Sequence, residues 1–197
     1  MKNFVLFVLF NCVLAIHSFA AEASNADKFC SAVRESVLFL NAGDIVPILD
    51  KELARSDDYP KSWLYSLKAT FPGQLDARMS IVDGVLGKTV LYQIYLAAEA
   101  GTPSTISDSL TQNLEYGRNV LQQCLAGSGW EFLVDTNAPK TLHRWLPPQD
   151  VRDKPVNVIA LGIVPVTQRQ LAIMLELGAR IRFQMPGENS GDEGWCC

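Results

Sequence analysis

The segment Leu75–Ala100, LDARMSIVDGVLGKTVLYQIYLAAEA, decides how the rest of the chain is read. Its apolar groups, Ile81-Val82, Val85-Leu86, Val90-Leu91 and Ile94-Tyr95-Leu96, recur so that most faces of a helix would be apolar, which predicts a buried central helix. Gly84 and Gly87 fit that helix as points of close approach, each weakening it by about 1 kcal/mol relative to Ala. A membrane span is excluded because Asp83, Lys88 and Gln93 would lie in hydrocarbon.

Working outward from this segment, further helical stripes flank it. Capped by Ser24 or Asn25, the residues Phe29, Val33, Val37 and Leu40 recur at spacings of four, four and three, which traces one helical face. Gly43-Asp44 restarts the chain into a second helix with Ile45, Ile48, Leu49 and Leu53 inward and Pro47 in its first turn. Pro60 opens a third, carrying Trp63, Leu64 and Leu67, and Pro72-Gly73 ends it. After Gly101-Thr102-Pro103, the residues Ile106, Leu110, Leu114, Leu121, Cys124 and Leu125 trace a fifth helix up to Gly127. Thr167 caps a last one with Leu171, Met174, Leu175 and Leu177 inward, ending near Gly178.

Between them, Trp130-Glu131-Phe132-Leu133-Val134 is aromatic and branched, Asp135 to Pro139 is turn chemistry, and Thr141 to Leu146 is a candidate return strand. Val156 to Val164, fenced by Pro147-Pro148 and Pro155, suits a buried strand or a short helix equally. The fold expected is therefore mainly α, a bundle of five to six helices around 75–100, with a small β-hairpin or extended element in 130–164. No internal repeat shows at a solenoid period.

The N-terminus reads as an address. Lys2 precedes an uncharged apolar run of 13 residues, Phe4 to Ile16, and small residues follow at cleavage spacing. This is the pattern of a secretory signal peptide over 1–20, with cleavage after Ala23 as the alternative, and it is short of the ~20 residues that span a bilayer. A single globular domain over 24–183 follows, and then a flexible acidic tail over 184–197 with three acids, Glu188, Asp192 and Glu193, and no base.

The whole chain has 17 Lys+Arg against 21 Asp+Glu; without Lys2, the sole charge in the first twenty residues, the balance is 16 against 21, or −5. A mildly acidic chain with no basic run argues against nucleic acid as a partner, and no stable span is left once the signal is removed. The expected location is exported, periplasmic or secreted. In an oxidising compartment the four cysteines beyond the signal default to pairing. Cys30 falls in the first expected helix and Cys124 near the end of a later one, each beside apolar neighbours, so a Cys30–Cys124 bridge pinning two helices is the first choice. Cys196 and Cys197 end the chain after Trp195; adjacent thiols suit a soft metal, a labile disulfide, or pairing back to the body.

Catalytic constellations are scarce. His143 is the only histidine beyond the signal, which excludes a multi-histidine metal site and leaves one imidazole for acid–base work. Asp83, between Ile81-Val82 and Val85-Leu86, is the one carboxylate in a strongly apolar setting, a setting suited to a raised-pKa acid or to a structural pair with Lys88. No cofactor is implied by any motif. Trp63, Trp130 and Trp145 are candidates for a binding surface, because tryptophan is as common at interface hot spots as in cores. Subtraction thus favours an exported, non-catalytic interaction protein of the cell envelope, an inhibitor, immunity protein or accessory subunit with one protein partner. The alternatives are an envelope hydrolase using Asp83 or His143 as acid or base, and a thiol or soft-metal carrier using Cys196 and Cys197.

Overall fold

The computed structural model describes residues 25–68, 71–84, 87–133, 142–148, 155–182 and 185. Helix α1, over 25–42, ends at Gly43, whose φ of 74° is a left-handed conformation that an L side chain resists; its N–H bonds Leu40 O at 3.1 Å. A 3₁₀ turn, Val46–Ile48, leads into β1 (Leu49–Ser56), followed by β2 (Ser62–Leu67), β3 (Asp76–Val82) and β4 (Lys88–Ala100). Helix α2 (Asp108–Cys124) crosses to β5 (Glu131–Leu133), β6 (Leu142–Leu146), β7 (Val156–Thr167) and β8 (Gln170–Ile181).

These strands form one antiparallel sheet of eight in the order β1-β2-β3-β4-β8-β7-β6-β5. The expected helical bundle is therefore wrong: the protein is mainly β, with two α-helices among the described residues. The helices at 25–42 and Asp108–Cys124 stand where the periodicity places them. The central helix over 75–100 does not exist. It is the β3–β4 hairpin, and Gly84 and Gly87 are its turn, with Gly87 at φ 125° and its N–H on Gly84 O at 3.2 Å. The segment expected as a second helix is the 3₁₀ turn and β1; the third is β2, with Pro60 in the β1–β2 connection after a cis peptide bond; the last is β8.

The physical reason lies in how the strands are buried. Along β4, Val90, Tyr92 and Ile94 are buried, while the alternate residues Leu91 and Tyr95 are half-buried on the other face. A strand that is apolar on both faces loses the period-two signal and reads as a continuous run. The same holds in β8, where Leu175 and Leu177 face one way and Met174 and Gly178 the other.

Register ties the sheet into continuous rows. On the inner face one row runs Phe132, Trp145, Ile159, Leu177, Tyr92, Met79 and Tyr65, and ends at Glu52. Both helices lie against this face. Ser36 of α1 hydrogen-bonds Tyr92, and Gly117 of α2 sits so close to β7 that a Cβ there would lie 3.2 Å from Leu161 Cδ2. Val33 and Leu40 from α1 and Leu110, Leu114 and Leu121 from α2 complete the core. Burial raises the Tyr92 phenol above its ordinary value, against the pull of the Ser36 bond. Burial and a 2.9 Å bond to Glu52 push Tyr65 up to about 12.

The chain order also exposes a duplication that no sequence repeat announces. A helix followed by a four-stranded meander occurs twice, α1-β1-β2-β3-β4 and α2-β5-β6-β7-β8, and the two halves join edge to edge through β4 and β8.

Candidate functional site

The cysteine expectation holds. Cys30 in α1 and Cys124 at the end of α2 are bonded, with Cα atoms 5.0 Å apart and a sequence separation of 94. Beside them, the Arg34 guanidinium donates to Cys124 O at 2.9 Å, so the two helices are joined covalently and by a charge-assisted bond. The signal segment, Cys196, Cys197 and the tail over 184–197, apart from Met185, lie outside the described residues. Met185 itself is buried.

The two candidate acid–base residues are kept apart, because β4, β8 and β7 stand between β3 and β6. Asp83 follows β3 in the hairpin turn and accepts a 2.6 Å bond from Lys88 Nζ, which itself lies 4.8 Å from the centre of the Trp63 ring. Trp63 is buried, so it serves as the floor under an ion pair and offers no exposed ring. The carboxylate of Asp83 is thus engaged structurally at its place in the fold.

His143, on the inner face of β6, points toward α2. Its Nε2 is 3.4 Å from Glu115 Oε1, an electrostatic contact and not a short hydrogen bond, and Glu115 is also held by Arg118 at 2.9 Å one helical turn on. Burial lowers the His143 pKa first; Glu115 opposes this, and Arg118 adds to it. Phe132 packs on both His143 and Trp145, with ring centres at 6.0 and 5.3 Å. Trp145 is fully buried within this group and Trp130 is half-buried beside it. The cluster is an aromatic end to the core with one neutral-favouring imidazole in it. Among the described residues no group of three or more His, Cys, Asp or Glu could hold a metal ion.

The feature that sequence reasoning missed is on the other face of the sheet. Leu142, Leu146, Val158, Val164 and Met174 are half-buried around the small residues Ala160 and Gly162, and together they line a hollow of about 460 Å³. Leu133, Arg144 and Glu176 complete its lining. Arg144 and Glu176 flank Ala160 in one row, with Glu176 held by Gln93 Nε2 at 2.9 Å. Among the described residues no helix lies over this face. The signal was present in Val158, Ala160, Gly162 and Val164, which alternate with Ile159, Leu161 and Ile163. Apolar residues in both registers mean two faces that avoid water.

Comparison of the chain with protein-family models, with curated proteins and with solved structures finds no match in any of the three. No helix among the described residues is long and apolar enough to cross a membrane.

Proposed function

We propose that this chain is an exported, non-catalytic binding protein that holds one protein partner against the apolar outer face of β6, β7 and β8. The observation that carries the reading is the hollow ringed by Leu142, Leu146, Val158, Val164 and Met174, with the charges of Arg144 and Glu176 set into it. An apolar concavity with a few fixed charges is the composition of an interface centre: the apolar part supplies affinity and the charges set orientation. The disulfide supports export, since such bridges persist in oxidising compartments.

The test is affinity capture from the envelope and secreted fractions of the cells that make the protein, read by mass spectrometry. The wild-type chain retains one stoichiometric partner, and Val158→Lys or Met174→Lys, each placing a charge in the hollow, loses it. Equal capture by wild type and by folded Val158→Lys and Met174→Lys variants removes this face from the interaction.

A further inference from the structure

The inner face contains a second concavity, independent of the hollow on the outer one. Between the first turns of α1 and the middle of α2 a cleft of about 420 Å³ opens over the central strands. Its floor is Leu96 and Ala97 of β4 with Ile173 of β8, and Phe29 and Val120 form its apolar walls. Three observations make this a built cavity and not a packing fault.

The pairing of β4 with β8 shifts between Tyr95 and Ala97, so Leu96 is the extra residue of a bulge. Without it, Ala97 would alternate to the outer face with Tyr95; with it, Leu96 and Ala97 both reach the cleft. Second, the bridge between Cys30 and Cys124 fixes the start of α1 to the end of α2, and Phe29 packs edge-on against Phe71 with ring centres 5.2 Å apart. The helices are thereby held at a set separation and cannot slide together to fill the space. Third, among the described residues the polar side chains of the lining are confined to Asn25, Asn113 and Tyr116, and none of the described lining residues is Lys, Arg, Asp, Glu or His. Tyr116 is 54% exposed, which sets it at the mouth.

We propose that this cleft binds an uncharged amphiphile, a single apolar chain with a neutral oxygen-bearing head such as an ester or amide. The floor and walls take the chain, with room for about a dozen methylene-sized groups at roughly 30 Å³ each. The two amides and the phenol, all able to donate and accept, bond the head. A carboxylate or phosphate head is disfavoured because it would leave water for a site whose described lining offers no cation to receive it.

The experiment uses the purified chain with its disulfide intact and the neutral fluorophore N-phenyl-1-naphthylamine, whose emission rises on burial. Saturable binding is expected, displaced by a neutral medium-chain monoacylglycerol and much less by the matching free fatty acid at pH 8. Ala97→Phe and Val120→Trp, which add bulk to the cleft from two different elements, should each weaken probe binding about tenfold. Asn113→Ala with Tyr116→Phe should weaken displacement by the ester while sparing the probe. Circular dichroism and the mass of the bridged peptides establish that each variant is folded, and two blocking variants guard against one failing to fold. Val158→Lys, on the opposite face, should leave binding unchanged, which separates this site from the protein-binding hollow. Absence of saturable binding, unchanged binding in the folded blocking variants, or equal displacement by the fatty acid overturns the proposal.

Discussion

Removing the Cys30–Cys124 bridge is the sharpest perturbation the fold offers. With the cysteines 94 positions apart in sequence, the chain-entropy relation gives a loss of about 4.7 kcal/mol at 25 °C when the loop is released in the unfolded state. A domain of this size shifts its melting temperature by about 2–4 °C per kcal/mol, so the double variant Cys30→Ala/Cys124→Ala should melt roughly 10–20 °C below the wild type. The assay is urea unfolding followed by circular dichroism, on the double variant and on wild type with and without reductant. The reduced wild type and the double variant should agree closely, because Cys124 is 2% exposed and its small side chain adds little packing of its own. The unfolding midpoint should fall. If both lose less than about 1 kcal/mol, loop closure is not what the bridge contributes, and the reasoning fails.

The pH response should follow His143. Its pKa is lowered in the folded state, so its contribution is fully present above the ordinary value near 6.5 and is lost as pH falls from there through the folded value. His143→Gln should flatten the fall in urea midpoint between pH 7.5 and 5.5, and an unchanged slope would show that another group carries it. Asp83→Asn, which removes the carboxylate from a nearly buried ammonium, should cost about 2 kcal/mol in urea unfolding; a loss of a few tenths would place this pair among ordinary surface ion pairs. Gly178→Ala sets a Cβ 2.5 Å from Val158 Cγ1, an overpacking that should cost about 2 kcal/mol. Val158→Ala in the same chain should restore most of that stability, and failure of the pair to couple in a double-mutant cycle would locate the strain elsewhere.

What the sequence made legible follows from which elements carry an unmixed pattern. The two helices have one apolar stripe each and a polar remainder: α2 is capped by Ser107, which accepts from Leu110 N at 3.0 Å, and it buries Leu110, Leu114, Leu121 and Cys124. The same two helices carry Cys30 and Cys124 beside apolar neighbours, and one cysteine on each of two helices is a pair that the fold has only to bring together. The strands were illegible because alternation fails when both faces are apolar. In β4, Leu91 and Tyr95 on the outer face fill the gaps between Val90, Tyr92 and Ile94, and the bulge at Leu96 breaks the remaining period. Glycine was misread for the same reason: inside an apparently helical run Gly84 and Gly87 look tolerated, whereas they turn the chain. Both concavities were invisible for a different reason. Each is assembled from elements far apart in sequence, and neither has a local motif.

The duplication supplies an internal comparison that bears on function. Each half is a meander with one helix, and joining β4 to β8 puts both helices on one side of the sheet, so the other side must face something without their help. In the first half that side is mixed, with Leu64, Val82, Leu91 and Tyr95 interleaved with polar residues. Ser62, Ser66, Asp76, Arg78 and Ser80 lie along β2 and β3, and Arg78 bonds Asp76 at 2.8 Å while lying 5.6 Å from the Tyr95 ring centre. The corresponding side of the second half carries Leu142, Leu146, Val158, Val164 and Met174. The architecture is the same, so architecture alone does not demand an apolar residue at each of these places. Solubility would favour the polar choice in both halves, because a contiguous apolar patch on an open sheet invites association. The second half's outer side is the more continuously apolar of the two, and this is why the proposed protein-binding reading rests on β6, β7 and β8 and not on the tryptophans, two of which the core has absorbed.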